Sequence, residues 1–459
     1  MVYTDLFFLL ALLPLSVIFS FFDESAEYKN TVLIISGLIF IAWGRPIAVL
    51  LILLSFIFDW AMGLIVAGLR DRSRAGAVLF LMLDMLFNAA IFIVYTRGDV
   101  VPLPDKLTIK ESLIPLAMGY YVLRAFSYVF DVYKGEEAEK NPLCLLTYMA
   151  SFHFMMCGPV VRYKDIKPQL RERRITGRML SEGASHVVIG LAKVVILAHA
   201  LRLVKLAGLE TNDVTLFGCW LGMAAFFGEA YFTLSGLCEM SLGMGLMNGF
   251  TYKKNFDDID SGGLFTGLVK GYNTSVTGFF SDMIYAPFKD KKLLGAAAAF
   301  VCCVAVAAWY SFSKPAFIVG AAAGAVIVLE RLLYGDRLKK LPAAVRYIYL
   351  TVLSMLVFGG LYFGTVYGFR KWAFGLVGVG DKYLLSKQMK RVILSNLFVY
   401  IAGLISFIPA ARGLLDKGLE KLKGRSREMY TTVEVCKTVA KALLLLMCVA
   451  AITAREIGV

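Results

Sequence analysis

Residues 293–333 read LLGAAAAFVCCVAVAAWYSFSKPAFIVGAAAGAVIVLERLL. Two apolar runs lie here, Leu293 to Ala308 and Pro315 to Leu333, each about the length of a membrane-crossing helix. The whole chain of 459 residues has the same character, with 59% hydrophobic and 18% charged residues and a mean hydropathy of +0.70. These values exclude a soluble globular domain. The chain is therefore predicted to be an all-α, polytopic membrane protein.

Apolar runs recur along the chain, and we expect roughly 11–14 transmembrane and re-entrant helices in a single domain, residues 1–459. The first run, Leu6 to Phe22, lacks the flanks of a signal peptide and is expected to stay as the first span. Asn141 to Cys157 is short for a crossing and ends at Gly158-Pro159, which predicts a re-entrant or broken helix. The other expected spans are 32–43, 46–66, 76–95, 113–132, 185–206, 216–234, 236–250, 293–308, 315–333, 347–369, 392–411 and 439–454.

The formal net charge of +14 resides mainly in the loops between apolar runs. Arg162 to Arg178 is the most basic loop, and the positive-inside rule predicts that it lies in the cytoplasm. We interpret this loop as a topology signal; a docking patch for an acidic carrier or an anionic lipid headgroup is the alternative. Nucleic-acid binding is not expected. The eight cysteines lack metal or redox spacing, so we expect buried free thiols, no metal and no bound cofactor.

Ionisable side chains within apolar runs are costly in a bilayer, so each one is a candidate for function. The candidates are Asp59, Asp84, Arg124, Lys193, Glu229, Glu239 and Asp282. An ion pair or a capped helix end is the alternative interpretation of each. Among the three histidines, His153 lies in the broken segment, where non-helical backbone at membrane depth usually lines a cavity.

The stretch from Leu268 to Gly320 brings polar side chains into apolar surroundings twice, at residues 270–275 and again at 309–314. Chemistry is therefore expected here first. The glycines and alanines of residues 320–324 are interpreted as helix packing rather than as a phosphate loop. A secondary transporter is disfavoured because the chain has no pair of matching halves.

Several short stretches, in this order and spacing, resemble the membrane-bound O-acyltransferase (MBOAT) family, in the bacterial branch typified by the alginate O-acetyltransferase membrane subunit. They are Lys29-Asn30, residues 42–46 (AWGRP), Ser55 with Asp59-Trp60, residues 127–135 (SYVFDVYKG), 158–163 (GPVVRY) and 190–195 (GLAKVV), Tyr231-Phe232 with Ser235-Gly236, Asn255-Phe256, Asp282 with Tyr285, and Leu329-Glu330-Arg331. The resemblance spans nearly the whole chain. It implies a ring of helices around a central funnel, where a cytoplasmic acyl thioester meets an extracytoplasmic hydroxyl acceptor.

The resemblance also implies the site residues. In the family a central histidine acts as general base, and a second polar residue helps it. These positions fall here on Tyr310 and Asn273, while a competing register would place Phe363 at the histidine position. Asparagine takes no proton, and a phenol of ordinary pKa is a poor base at neutral pH. The catalytic candidates are Tyr310, Asn273 and His153, and the substrate-binding candidates are Tyr272, Ser275, Asp282, Trp309, Glu239 and Arg162.

Two functions from different classes are therefore carried forward. The first is an O-acyltransferase that moves an acyl group, acetyl above all, from acetyl-CoA or an acyl carrier protein to a hydroxyl of a cell-envelope polysaccharide or an intermediary protein. The second is an inactive MBOAT-like scaffold or acyl conduit that works with an extracytoplasmic acyltransferase or esterase-like partner. Either would be a multi-pass protein of a bacterial inner membrane, with the lipid bilayer as its constant partner.

Overall fold

A computed structural model describes residues 1–43, 47–96, 114–157, 160–211, 214–256, 263–378, 384–407, 413–414, 417–421 and 427–457. Within these ranges the secondary structure is helical and no strand occurs. Eight described helical stretches are long and apolar enough to cross a membrane. They are Ala48–Leu69, Arg74–Ile93, Gly177–Leu209, Leu216–Met247, Lys292–Tyr310, Lys314–Lys339, Ala343–Tyr367 and Glu428–Ile457. The prediction of an all-α, multi-pass membrane protein is confirmed.

The first half of the chain contains ten α-helices among its described residues. They are α1 (Leu13–Phe19), α2 (Ala26–Ala42), α3 (Ile47–Leu69), α4 (Arg74–Thr96), α5 (Ile114–Tyr133), α6 (Pro142–Ala150), α7 (Tyr163–Arg171), α8 (Gly177–Ala192), α9 (His199–Leu209) and α10 (Leu216–Met247). A π-helical turn, Lys193–Ala198, joins α8 to α9 without a break. Hydroxyl side chains start two of the long helices, because Thr176 accepts from the Met179 N–H and Thr215 from the Gly218 N–H.

The second half of the chain contains eleven α-helices that the structure describes in full. They are α11 (Phe265–Gly271), α12 (Thr274–Phe280), α13 (Lys292–Tyr310), α14 (Lys314–Leu329), α15 (Gly335–Lys339), α16 (Ala343–Ser354), α17 (Leu361–Tyr367), α18 (Phe369–Val377), α19 (Lys387–Ser395), α20 (Leu397–Phe407) and α21 (Arg427–Ile457). π-helical turns continue α14 into α15 and α16 into α17.

Three expectations about the spans are wrong. The run Leu6 to Phe22 forms a short helix, Phe8–Phe19, below the length of a full crossing. The two spans expected on either side of residue 235 are the single 32-residue helix α10. The expected span 392–411 is interrupted at Asn396, between α19 and α20. Apolar composition alone therefore overestimates the number of long crossings.

Glycine explains why α10 continues where a break was expected. A Cβ atom on Gly236 would lie 2.7 Å from the carbonyl oxygen of Gly190 in α8, and one on Gly243 would lie 2.4 Å from that of Gly183. Glycines at these positions let the backbones of α8 and α10 approach closely, as small residues do between membrane helices. Gly236 is therefore a packing residue inside a helix and not a helix terminator.

The segment that follows α5 is broken, as predicted. Helix α6 ends at Ala150, and a single 3₁₀ turn, Phe152–Phe154, follows it with all three side chains buried. A Cβ atom on Gly37 of α2 would lie 1.9 Å from the Ala150 carbonyl oxygen, so this glycine permits the broken segment to pack against α2. The predicted end of the segment, Gly158-Pro159, lies outside the described residues. The ring of helices and the cytoplasmic position of the loop 162–178 stay predictions.

Candidate functional site

Asn273 occupies the break between α11 and α12. Its backbone is left-handed, with φ 53° and ψ 60°, and it is the one described residue other than glycine with a positive φ. Asparagine tolerates this conformation better than most residues because its short side chain bonds locally. Asn255 stabilises the backbone at this break. Its carbonyl accepts from the Thr274 N–H at 2.8 Å, and its side-chain Oδ1 accepts from the Ser275 N–H at 2.9 Å.

The side-chain amide of Asn273 is completely buried and fully hydrogen-bonded. Its Oδ1 accepts from Asn255 Nδ2 at 2.7 Å. Its Nδ2 donates to Tyr120 Oη at 2.7 Å and also to Tyr310 Oη. An amide nitrogen has two hydrogens to donate, so both are used within the protein. Asn273 therefore holds two phenol groups in place and has no hydrogen left for a substrate.

Tyr310 is the last residue of α13, and its hydroxyl accepts a hydrogen bond from Asn273. Because a phenol both donates and accepts, this contact leaves the hydrogen of Tyr310 able to bond outward. The neighbouring Trp309 fixes the end of the helix: its Nε1 donates to the Gly119 carbonyl at 3.2 Å, and its ring packs edge-on against Tyr120. Phe363, the residue at the histidine position in the competing register, lies elsewhere, with its ring 4.9 Å from that of Tyr367. The choice between the two registers stays a prediction.

Tyr310 lines a cavity of about 620 Å³. One wall is a single face of α14 and its continuation to Lys339, a helical stretch of 26 residues. At 1.5 Å per residue this helix is about 39 Å long, more than the roughly 30 Å of a bilayer hydrocarbon core. The cavity is lined from Ser313 near the start of this helix to Lys339 at its end. The cavity lined by Tyr310 therefore extends along most of the length of this helix.

Most of the cavity wall is apolar; Lys270 of α11 lines it, and four further charged residues, Glu330, Arg331, Asp336 and Lys339, lie toward α15. Arg331 is held there by its bonds to Tyr285 Oη and, at 2.8 Å, to the Lys289 carbonyl. The carboxylate of Glu330 binds the N-terminus of α11, where it accepts hydrogen bonds from the N–H groups of Phe265 and Thr266 at 2.9 and 2.8 Å. An elongated apolar cavity with polar groups at its ends suits an amphiphilic ligand.

A second group of buried residues supports the amide. Asn255 Nδ2 also lies 3.2 Å from Cys238 Sγ, and Cys238 donates to the Cys157 carbonyl at 2.6 Å. Sequence reasoning did not assign a role to Tyr120, Asn255 or Cys238. Asn255 carried a signal, since it belongs to one of the stretches that resemble the family. Tyr120 and Cys238 stand in ordinary apolar runs and carried none.

Four predicted substrate-binding residues make contacts with neighbouring parts of the fold. Ser275 Oγ accepts from the Val160 N–H at 2.8 Å and so ties the chain beyond the broken segment to α12. Arg162 bonds to Asp282 and lies 3.5 Å from Asp131 of α5. The charges of Arg162 and Asp282 are therefore paired with each other. Tyr272 lines the cavity, and its ring lies 6.5 Å from that of Tyr310.

Two further candidates lie apart from this cluster. Glu239 of α10 is paired with Lys193 at 2.7 Å and His186 at 2.8 Å, both on the α8 side. His153 is completely buried with its ring 4.2 Å from Phe154 and 5.2 Å from Phe250, and it does not line the cavity. Neither ring nitrogen of His153 has a hydrogen-bond partner among the described residues. The structure thus brings together Asn273, Tyr310, Trp309, Tyr272 and Ser275.

The fold and the site define an integral membrane protein with a buried amide–phenol pair that faces an elongated apolar cavity. Within the described ranges, no cluster of three histidine, cysteine, aspartate or glutamate residues suits a metal ion. No protein-family model matches the chain.

The chain is similar to curated proteins over most of its length. It is 24% identical over 441 residues to the probable alginate O-acetylase AlgI of Azotobacter vinelandii, covering 89% of this chain and 86% of that protein. It is 28% identical to the protein of the same name from Pseudomonas aeruginosa over 62% of this chain and 56% of that one. A peptidoglycan O-acetyltransferase of Helicobacter pylori is 21% identical over 62% of this chain and 61% of its own. These similarities confirm the resemblance to the alginate O-acetylase branch of the MBOAT family.

Proposed function

We propose that this protein is a membrane O-acyltransferase that transfers an acetyl group from a cytoplasmic thioester to a hydroxyl group of a cell-envelope polysaccharide. The names of its relatives, which refer to O-acetylation of alginate and of peptidoglycan, support the reaction class. The hydrogen bond between Asn273 and Tyr310 at the wall of the cavity is the structural observation that carries the proposal. The bacterial cytoplasmic membrane is the proposed location.

In this proposal Tyr310 binds the acyl carbonyl. Both N–H groups of Asn273 are committed to tyrosines, so the amide orients Tyr310 and makes no contact with substrate. The hydroxyl hydrogen of Tyr310 is directed to the carbonyl oxygen of the thioester, where negative charge develops during attack. The new C–O bond forms as the C–S bond breaks, and the proton of the acceptor hydroxyl passes to the departing sulfur. Because the thiol is a good leaving group, the loss of rate caused by the missing histidine base is then limited.

Transfer by the purified full-length chain in lipid nanodiscs tests the proposal. Radiolabelled acetyl-CoA or an acetylated carrier protein serves as donor, and alginate oligosaccharides and peptidoglycan fragments serve as acceptors. Tyr310→Phe removes the donor hydrogen and is expected to lower kcat about 10²–10³-fold, the usual cost of losing one oxyanion-binding donor. Tyr367→Phe, at an exposed tyrosine outside the cavity wall, is the matched control and should retain full activity. Equal activity of Tyr310→Phe and wild type would refute the role of Tyr310.

The inert alternative is favoured by one observation: none of the three histidines contacts Asn273 or Tyr310 in the described part of the chain. A scaffold or acyl conduit would leave every acceptor unlabelled in the purified assay. It would support labelling once an extracytoplasmic acyltransferase or esterase-like partner is added. If the purified wild-type protein labels no acceptor with any donor, the result would therefore contradict the enzymatic proposal and favour this alternative.

A further inference from the structure

The orientation of the Asn273 amide decides where the hydrogen of Tyr310 points. An amide presents an oxygen that accepts at one end and a nitrogen that donates at the other. With its nitrogen toward Tyr310, the phenol accepts and its own hydrogen is free for the cavity. With its oxygen toward Tyr310, the phenol would donate to the amide and have no hydrogen left. Transfer through Tyr310 therefore requires the first orientation, which is the one the structure contains.

Asn255 determines this orientation through a backbone contact. Its Oδ1 lies 2.9 Å from the backbone nitrogen of Ser275. A backbone N–H only donates, so the end of the Asn255 amide that meets it is the oxygen. The nitrogen of Asn255 is then turned toward Asn273, 2.7 Å away, and the atom of Asn273 that it meets must be an acceptor. The oxygen of Asn273 therefore faces Asn255, and its nitrogen faces the tyrosines.

The thiol of Cys238 sets the same orientation of Asn255 independently. Cys238 donates its hydrogen to the Cys157 carbonyl at 2.6 Å, and a carbonyl oxygen only accepts. The sulfur is thus left as an acceptor for Asn255 Nδ2, which lies 3.2 Å from it. Asn255 is buried, with 3% of its surface exposed. Turning its amide end for end would break its contacts with Ser275, Cys238 and Asn273 together.

Ser275 supplies a second donor to the oxygen of Asn273. Its Oγ accepts from the Val160 N–H at 2.8 Å, so the hydroxyl hydrogen is available, and Asn273 Oδ1 lies 3.4 Å away. A reversed Asn273 amide would place its nitrogen against these two donors. Buried donors without an acceptor are costly, so the reversed orientation is disfavoured as long as Asn255 keeps its place.

We propose that Asn255 is a positioning residue for acyl transfer: by orienting the Asn273 amide, it directs the hydroxyl hydrogen of Tyr310 into the cavity. The inference rests on the proposed function, in which that hydrogen binds the acyl carbonyl. Tyr310 lines the cavity, and no group in the described part of the chain accepts its hydrogen. Asn255 does not line the cavity, so it acts through Asn273 and touches no substrate.

Asn255→Asp tests the proposal with a side chain of almost the same shape. The ionised carboxylate has no hydrogen for Asn273, whose nitrogen then turns toward the new charge and whose oxygen turns toward Tyr310. The protonated carboxyl can donate to Asn273 Oδ1, which restores the original orientation. The pKa of a buried carboxyl can lie several units above its ordinary value, so activity is followed from about pH 5 to about pH 9.

The expected result is a loss of activity as the pH rises. In the nanodisc assay, the ratio of kcat between Asn255→Asp and wild type should fall about 10²–10³-fold across the series, the usual cost of losing one oxyanion-binding donor. Asn30→Asp is the matched control, because it places a buried carboxylate beside Arg173 and away from the cavity wall. Its ratio should stay constant. A ratio for Asn255→Asp that is independent of pH, whether near one or uniformly low, overturns the proposal.

Infrared spectroscopy reads the orientation without acyl transfer. The C–O stretching band of Tyr310 is isolated in each background by subtracting the spectrum of the protein that also carries Tyr310→Phe. This band moves to higher wavenumber when a phenol donates instead of accepting, because accepting a hydrogen bond weakens the C–O bond. We expect this shift when the new carboxylate of Asn255→Asp ionises, and none in Asn30→Asp.

The infrared readout also covers a variant that does not fold and an enzyme that does not turn over. If Asn255→Asp does not fold, Asn255→Ala replaces it; this change frees the Asn273 amide to adopt both orientations and should give two Tyr310 bands. A single band at the wild-type position would overturn the proposal. A shifted band without turnover in wild type would uphold the orientation by Asn255 and refute the acyltransferase. Turnover in wild type with an unshifted band would refute the role of Asn255 alone.

Discussion

Substitution of Asn273 can separate the strain of the backbone from the hydrogen bonds of the side chain. The residue has a φ of 53°, a conformation that glycine adopts without cost and that costs other L-residues roughly 1–2 kcal/mol. Asn273→Gly removes the amide and leaves the backbone unstrained. Asn273→Ala removes the same amide and keeps a Cβ atom in the left-handed region. The difference between the two variants therefore reports the backbone alone.

The structure gives the size of each contribution. Without the amide, Tyr120 and Tyr310 both lose a donor, and Asn255 Nδ2 keeps only its 3.2 Å contact with Cys238 Sγ. A buried polar group left unsatisfied costs about 1–3 kcal/mol, and relaxation lowers the sum for neighbouring groups. We therefore expect Asn273→Gly to reduce the free energy of unfolding by about 2–4 kcal/mol. Asn273→Ala should lose about 1 kcal/mol more.

Reversible unfolding of the full chain, followed by tryptophan fluorescence in mixed micelles, measures both values. The control pair is Asn396→Gly and Asn396→Ala, at the end of α19, where φ is −120°. There the alanine variant should be at least as stable as the glycine variant, the reverse of the order at residue 273. If Asn273→Ala proves as stable as Asn273→Gly or more so, the left-handed backbone is not a source of strain and the reasoning fails.

Two further predictions concern helix packing and pH. Gly236→Ala places a Cβ atom 2.7 Å from the Gly190 carbonyl oxygen and should lower the free energy of unfolding by about 2 kcal/mol. Gly68→Ala, with no atom within 4 Å of the new Cβ atom, should raise it by about 0.5–1 kcal/mol. Unfolding curves of the two variants measure both changes. Burial raises the pKa of Glu139, but hydrogen bonds from Tyr163 and the Asn141 backbone and the charge of Arg171 outweigh it and lower the pKa below its ordinary 4.5. The contribution of Glu139 to the free energy of unfolding should therefore be complete above pH 4.5 and be lost as the pH falls through the lower pKa of the folded state. The difference in stability between wild type and Glu139→Gln should accordingly shrink on acidification. A difference that grows would contradict this sign.

The sequence is sufficient for the fold class, and the reason is local. Apolar runs of membrane length indicate spans whatever their neighbours. The resemblance assigned the family's polar positions to Asn273 and Tyr310 by register, in stretches that depart from the family's pattern, and the structure joins their side chains across 37 positions of the chain. The continuity of α10 could not be predicted in this way. Ser235-Gly236 interrupts an apolar pattern, and only the glycines of α8 opposite it show that the residue serves close packing.

The sequence also could not predict which residues of distant segments pair with each other. Arg162 and Asp282 were both predicted as substrate-binding residues, yet they are 120 positions apart and bond to each other. Asp59 and Asp84 were each recognised as ionisable residues inside apolar runs, but their neighbourhood depends on how α3 packs on α4. Tyr120 resembles any aromatic residue of an apolar helix until α13 brings Trp309 and Tyr310 beside it. Sequence periodicity supplies the faces of helices and not the partners that meet there.

Gly320 sets how closely α13 and α14 approach each other beside the cavity that both helices line. A Cβ atom at this position would lie 2.6 Å from the Cβ atom of Ala307 and 3.1 Å from the carbonyl oxygen of Cys303. Even an alanine at position 320 would therefore have to move the two helices apart. The spacing of this part of the cavity wall depends on a side chain that is absent, so a substitution there would alter the separation of the two helices.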